Sequence, residues 1–446
     1  MKAFKAYDIR GVYNLDWNKH DAYKIGYFLP RLLETKEILV GRDIRLSSDE
    51  IFNSLSQGIM DAGANTHDLG LCTTPMVYWA TAKLGFKASV QITASHNPKE
   101  YNGLKVSGPG AMPIGYEAGL KDIKRWIESE EPVPALQKGE LKRLDTRADY
   151  LSFLRTYKPD LNGFKLAIDG SNGMAGMFIE EIFGSDTHYI NTEPDGNFPG
   201  HDPNPLELKN VEQLSSMVSK GDYDLGIIFD GDADRVMFVD EKGKFISPDL
   251  MIAVLGDYFL KGGGSHRVLQ DIRTSRSVAE YLRPLGAEMF TWRVGRAFAS
   301  PELKRINGLF GGELAGHYYF RDFFYSDSGI LAAMIVCEVL ARKKAEGLSV
   351  SDFISQISNY YSSGEMNFVI QDKDAAIEKI IRHFQKRQKP ISVMDFDGYR
   401  LDYKDYWINI RPSNTEPYLR FIAEAKTKDQ LDEIVGEVTG VLGSYR

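Results

Sequence analysis

A chain of 446 residues has room for three to four domains of ordinary size. Hydrophobic residues at 43% and charged residues at 26% are the balance of soluble globular protein with material for several cores. The formal net charge of −8 argues against nucleic acid as a partner, since phosphate backbones demand clustered Lys and Arg, but it leaves room for a locally basic pocket.

The first ten residues lack the apolar run of a signal peptide. Residues 37–40 read as a strand and 48–62 as a helix, with Ser47 or Ser48 as N-cap and Gly63 as C-cap. Residues 88–92 read as a second strand, and Thr93-Ala94-Ser95-His96-Asn97-Pro98 leaves its carboxyl end, the edge where open α/β sheets place ligands. A charged, Pro-containing stretch, 128–146, separates this unit from the next. The second unit opens with a strand at 164–168 running into Asp169-Gly170-Ser171-Asn172-Gly173. Its strand 225–229 delivers Asp230-Gly231-Asp232-Ala233-Asp234-Arg235. A third unit starts with a helix near 249–260, breaks at Gly262-Gly263-Gly264, and continues through a strand at 267–269 to a long helix, 329–344. Residues 331–340 are apolar but too few to span a bilayer. From about Ser363 the rhythm changes to a helix (374–387), short strands at 391–394, 399–402, 407–410 and 419–425, and a final helix near Lys428. That is an α+β module. The chain therefore divides into 1–145, 146–246 and 247–362, all α/β, and 363–446, α+β. Cys72 and Cys337 are far apart, with no CxxC, which excludes a structural zinc and suits a reducing cytoplasm.

Four segments carry chemistry. Asp230, Asp232 and Asp234, at i, i+2, i+4, would share one side of an extended segment and converge on one cation. An EF-hand is rejected, because Arg235 stands where that loop needs glycine and a strand leads in. Hard oxygen ligands suggest Mg²⁺. Ser95 offers a hydroxyl that can carry a phosphoryl group, with Arg10, His96 and Lys105 as candidate donors around it; the plain alternative is a helix cap or turn. Gly311-Gly312-Glu313-Leu314-Ala315-Gly316-His317 also emerges from a strand. Glu313 there can accept from sugar hydroxyls, and a glycine-rich hairpin is the competing reading. Arg411-Pro412-Ser413-Asn414-Thr415-Glu416-Pro417, with Arg420, has the donors a phosphate monoester needs, or is a structural turn.

These segments, in this order, closely resemble the α-D-phosphohexomutase superfamily, in its bacterial phosphomannomutase/phosphoglucomutase branch. Ala6-Tyr7-Asp8-Ile9-Arg10-Gly11, Asp169-Gly170-Ser171-Asn172-Gly173-Met174-Ala175-Gly176 and Pro194-Asp195-Gly196-Asn197-Phe198-Pro199 look like family segments as well. The resemblance implies three similar α/β domains and a C-terminal α+β domain around a central active-site cleft. It implies a cytoplasmic isomerase that interconverts hexose 1-phosphate and hexose 6-phosphate, of mannose and/or glucose, through a phosphoserine and a hexose 1,6-bisphosphate that also serves as activator. Ser95 would carry the phosphoryl group and, with Asp230, Asp232 and Asp234, bind Mg²⁺. Lys105 and His317 would transfer protons, Arg10 would support the serine loop and His96 would lie beside the serine. Arg235 and Tyr7 would contact ligand, and Glu313 and Ala315 would form the sugar loop. Arg411, Ser413, Asn414, Thr415 and Arg420 would hold the phosphate that is not reacting. The implied partners are small hexose phosphates, with no nucleic acid and no membrane, in a monomer or homodimer.

The chain departs from the family pattern in places. Ala315 stands where the sugar loop usually carries Ser, and Arg296 where relatives commonly place His, though it could still donate to a phosphate. Asn414 and Leu314 replace the Gly and Gln usual in phosphoglucosamine mutases. A phosphoglucosamine mutase and a catalytically silent sugar-phosphate-binding homologue are the alternatives.

Overall fold

Four β-sheets follow one another in the computed structural model, which describes residues 2–262, 266–413 and 418–443. The first three share one plan. In the first, Glu37–Arg42 lies between parallel Asn65–Leu71 and Ser89–Ile92; antiparallel Tyr101–Ser107 and then Ile9–Val12 extend the sheet beyond Ser89–Ile92. In the second, Leu166–Asp169 lies between parallel His188–Ile190 and Leu225–Phe229, extended by antiparallel Val236–Asp240 and Phe245–Ile246. In the third, Arg267–Asp271 lies between parallel Glu288–Trp292 and Phe310–Gly312, extended by antiparallel Tyr318–Phe320 and Ser326–Asp327. In every case the last parallel strand turns back into an antiparallel neighbour. The Ser95, Asp230 and Glu313 loops are those three turns. One topological corner thus recurs three times.

Parallel strands covered on both faces read as unbroken apolar runs, and Leu225–Phe229 is buried at all five positions. In the helix Gly329–Ala345, residues 329–337 are apolar on every side because they are buried on every side, and Arg342, Lys343 and Lys344 fill the last turn. Its Val336 belongs to one continuous core with Tyr78 of the first unit and Phe178 of the second. No helix among the described residues is long and apolar enough to cross a membrane.

The fourth sheet is antiparallel throughout. Tyr361–Ser362 and Met366–Val369 both pair with Tyr418–Ala425, followed by Tyr406–Pro412, Tyr399–Asp402 and Ser392–Met394. The helices Lys373–Arg387 and Lys428–Gly443 bury Ile380, Phe384, Ile434 and Val438 in a separate core. Polar bonds tie this unit to the third. Arg276 Nη2 donates to Asp402 Oδ1 (3.1 Å) and the Tyr403 carbonyl (2.8 Å), and Arg400 Nη1 to the carbonyls of Ile272 (2.9 Å) and Thr274 (2.7 Å).

Two expectations need correction. The stretch 128–146 is more than a separator, because its Leu141–Arg143 pairs with Asn65–Leu71 as a sixth strand. Neither Ser47 nor Ser48 caps the helix Ser48–Asp61 with its side chain; the Ser48 hydroxyl donates to Asp43 Oδ1 at 2.7 Å instead. Gly63 does adopt the left-handed backbone (φ 81°) just past that helix.

Candidate active site

Ser95 stands three positions beyond the strand Ser89–Ile92 with a left-handed backbone (φ 52°), an uncommon conformation for a residue with a Cβ. Its amide donates to Thr93 Oγ1 (2.9 Å), and its buried hydroxyl donates to Asp230 Oδ2 (2.7 Å) across 135 positions of sequence. Arg45 holds the loop in this shape. Its Nη2 donates to the carbonyls of Ser95 (2.8 Å) and Asn97 (2.6 Å), and its Nη1 to those of Pro98 (2.7 Å) and Tyr101 (3.0 Å). Asp43 pairs with its Nε at 3.2 Å. Arg10 reaches the same loop through Asn97 Oδ1 (2.9 Å) and is itself held by Asp8 (2.5 Å). His96 Nδ1 lies 3.4 Å from Ser95 Oγ. Burial first, then the cations Arg235, Arg10 and Lys105, push its pKa well below the ordinary value, so the ring stays neutral.

The aspartate segment is a turn, not the extended strand expected. Ala233 is left-handed (φ 62°) and its amide donates to the Asp230 carbonyl. The chain's turning, rather than strand alternation, brings the carboxylates together, with ligand oxygens within 4.8 Å of one another and all three residues buried. Neighbouring units fix the turn: the amide of Thr74 donates to the Asp232 carbonyl, that of Gly329 to the Ala233 carbonyl, and that of Val236 to the Gly316 carbonyl. Position 231 admits only glycine, because a Cβ there would sit 2.7 Å from the Ser95 carbonyl oxygen. Burial, then Asp232 and Asp234, raise the Asp230 pKa well above the carboxylate range. Lys105 Nζ bonds Asp232 Oδ2 (2.6 Å) and Asp234 Oδ2, and these carboxylates hold its charge against burial. The hydroxyl of Thr74 bonds Asp232 as well. Asp232 Oδ1 and Asp234 Oδ1 are buried without a hydrogen-bond partner among the described residues. Three crowded buried carboxylates with orphaned oxygens fit a divalent cation. Arg235 Nε lies 3.8 Å from Asp230 and 3.9 Å from Asp234.

The glycine-rich segment is a hairpin, Phe310–Gly312 against Tyr318–Phe320, and it also carries polar chemistry. Buried Glu313 accepts from the Gly295 amide (3.1 and 3.2 Å) and the Tyr319 hydroxyl (2.6 Å). Ala315 lines the cleft with a methyl group. His317 Nδ1 bonds Asp327 Oδ2 at 2.6 Å, and Asp327 Oδ1 accepts from Arg296 Nε at 3.1 Å. Arg296 also donates to the Ala111 carbonyl (2.6 Å) and lies 3.6 Å over the Tyr78 ring. Through Nη2 and its stacking on Tyr78 it ties the third unit to the first. Tyr7 meets Phe298 edge to face at 5.6 Å and lines the same cleft.

Glu365 accepts from three guanidiniums: Arg420 Nη1 (2.8 Å), Arg273 Nη1 (3.1 Å) and Arg411 Nη2 (3.4 Å). Ser413 lines the cleft beside them, while Asn414 and Thr415 lie outside the described residues. The cleft, about 1810 Å³, is bounded by residues of all four units.

The family models for phosphoglucomutase/phosphomannomutase match in sequence. Alpha/beta/alpha domains I, II and III match residues 1–133, 148–243 and 247–360, and the C-terminal domain matches 365–441. The chain belongs to the phosphoglucomutase/phosphomannomutase family. As a phosphohexomutase it is an isomerase. It is 34% identical over 439 residues to the phosphomannomutase of Escherichia coli (strain K12), covering 96% of this chain and 95% of that protein. A phosphoglucomutase/phosphomannomutase family protein from Burkholderia thailandensis has a similar structure, with a TM-score of 0.88 and 27% identity over 99% of this chain and 97% of that one. Aspergillus fumigatus N-acetylphosphoglucosamine mutase, solved with glucose 1,6-bisphosphate, shares the fold, with a TM-score of 0.61 and 15% identity over 98% of this chain and 94% of that one.

In this phosphohexomutase, sequence reasoning missed Asp43, Arg45, Thr74, Arg273, Asp327 and Glu365. Asp43, Arg45 and Arg273 follow directly on parallel strands, at the edge already known to place ligands, so that signal was available. Glu365, at the start of a new unit, carries no local signal.

Proposed function

We propose that Ser95 carries the phosphoryl group and exchanges it with the 1- and 6-hydroxyls of mannose and/or glucose phosphates. The supporting observation is the Ser95 hydroxyl bonded at 2.7 Å to one of three clustered aspartates, in a cleft that also holds a guanidinium cluster. In the forward step the P–Oγ bond of phosphoserine breaks as a sugar hydroxyl oxygen bonds to phosphorus, and the hydroxyl proton leaves to a neighbouring base. His317, whose Nδ1 is engaged by Asp327, offers Nε2 for that proton, while Lys105, kept charged by Asp232 and Asp234, is the proton-transfer candidate that returns a proton to the departing Ser95 Oγ. The resulting hexose 1,6-bisphosphate turns end for end and returns its other phosphoryl group to Ser95. Asp230, Asp232 and Asp234 would hold Mg²⁺, which neutralises charge on the phosphoryl group when bound. Glu313 reads sugar hydroxyls, and Arg411, Ser413 and Arg420, with Asn414 and Thr415, hold the phosphate at rest. Arg10, His96, Arg235 and Tyr7 complete the surroundings. Each of the four units 1–145, 146–246, 247–362 and 363–446 contributes one loop. Two buried free thiols, Cys72 and Cys337, suit a cytoplasmic enzyme, monomeric or homodimeric.

Intact-mass measurement of the purified protein tests the covalent step. The expected result is one added phosphate, lost on incubation with glucose 1-phosphate or mannose 1-phosphate and Mg²⁺, with formation of the 6-phosphate. Ser95→Ala should lower turnover by orders of magnitude; unchanged turnover would remove Ser95 from the reaction.

A further inference from the structure

We propose that Glu365 is a built-in counter-charge that weakens the C-terminal clamp's hold on phosphate enough for the ligand to let go between half-reactions. The proposal rests on the reading of Arg411 and Arg420 as that clamp. Arg411 and Arg420 stand directly opposite each other on adjacent antiparallel strands, a like-charge pairing that is unfavourable by itself. Arg273, from the third unit, is the third cation of the group. One carboxylate, Glu365, serves all three, with Oε1 on Arg420 and Oε2 on Arg273 and Arg411. Burial alone would raise the Glu365 pKa, but Arg273, Arg411 and Arg420 together bring it down to about 2, so the negative charge is permanent. Two more carboxylates belong to the surroundings: Asp271 bonds Arg273 at 2.7 Å, and Asp397 lies within electrostatic reach of Arg411.

A phosphate monoester seeks the same charge-assisted donors that Glu365 already uses. A guanidinium carries five N–H groups, so donors remain for a second anion, and Arg411 Nε is buried with no hydrogen-bond partner among the described residues. A phosphate entering the cup therefore meets three guanidiniums that share Glu365 as their common anion, with Asp271 behind Arg273 and Asp397 near Arg411. That arrangement gathers the arginines in the right place and also limits the affinity. In a reaction whose intermediate must release one end and present the other, binding energy spent on the resting phosphate slows exchange. Glu365 keeps that energy down.

The test is calorimetric titration of the full-length protein with inorganic phosphate, in wild type, Glu365→Gln and Arg411→Met. Glu365→Gln is expected to bind phosphate at least about tenfold tighter, a difference of about 1.4 kcal/mol, and Arg411→Met more weakly. In steady-state assays with a hexose 1-phosphate, Glu365→Gln should lower both KM and kcat, whereas a purely structural role would raise KM. Unchanged affinity in Arg411→Met would discard the clamp itself. A clamp weakened by Arg411→Met, together with Glu365→Gln binding no tighter than wild type, would overturn the counter-charge alone. Glu365→Asp keeps the charge and withdraws it by one methylene, and so serves if the Gln variant does not fold. It should bind phosphate more tightly than wild type, and no gain there also overturns the proposal.

Discussion

At the scale of single residues, the geometry of Ser95, the proposed nucleophile, is set from outside its own loop by Arg45. One planar guanidinium spans four carbonyls and Asp43, a pattern that a lysine ammonium cannot reproduce. Arg45→Lys keeps the charge near Asp43 but frees part of the loop. A misplacement on the order of 1 Å is expected to lower kcat about 10²-fold with little change in KM. Steady-state kinetics and the phosphate occupancy of Ser95 by intact mass would check this; a raised KM with kcat intact would contradict it. The same residues show where sequence reading stops. Ser95, the three aspartates, Glu313 and His317 were legible because the chemistry-bearing types sit together in short loops. Arg45 and Glu365 were not, because they act on groups 50 and 92 positions away that only folding brings near.

At the scale of elements, the loop beginning Asp169-Gly170-Ser171-Asn172-Gly173 supports the aspartate turn rather than the ligand. The Met174 amide donates to the Gly231 carbonyl (2.9 Å), and the Ser171 hydroxyl to the Phe229 carbonyl (2.6 Å). His201 braces it, with Nε2 3.0 Å from Asp169 Oδ2 and Nδ1 2.8 Å from the Asp202 carbonyl. Nearby, Phe198 lies under the Arg45 guanidinium at 5.1 Å. Burial opposes a charge on His201, but its bond and attraction to Asp169 lift its pKa above the ordinary 6.5. Because the folded value is the higher one, the stability from this pair is complete below the unfolded value and fades as pH rises through the folded value. Thermal melting should show His201→Gln destabilised by about 1 kcal/mol below the ordinary histidine value, with the gap to wild type closing as pH rises above it. A gap that widens with pH would refute the pairing. The strands read from apolar runs moved at their boundaries by a residue or two, but others, among them Asn65–Leu71, Tyr101–Ser107 and Val236–Asp240, were not read at all. The order of strands within each sheet was not legible, since it depends on pairings distant in sequence.

At the scale of the whole molecule, the first three units share one core between them and each keeps a second of its own, while the C-terminal unit has only its own core and docks through hydrogen bonds and ion pairs. Interfaces of that kind allow relative motion. Arg276 is their main tie, donating also to the carbonyls of Lys404 (3.1 Å) and Tyr406 (3.3 Å). Arg276→Ala should raise KM about five- to tenfold and let the C-terminal unit melt ahead of the rest, seen as a second calorimetric transition. A single unshifted transition with unchanged KM would contradict this.

Three copies of one strand-to-hairpin corner face a common space, and each bears a different tool. On the proposed roles, because each corner sits on its own sheet, the sugar surroundings of Glu313 and Ala315 can change while Ser95 and the three aspartates keep their mutual distances. Specialisation and chemistry are separable by construction.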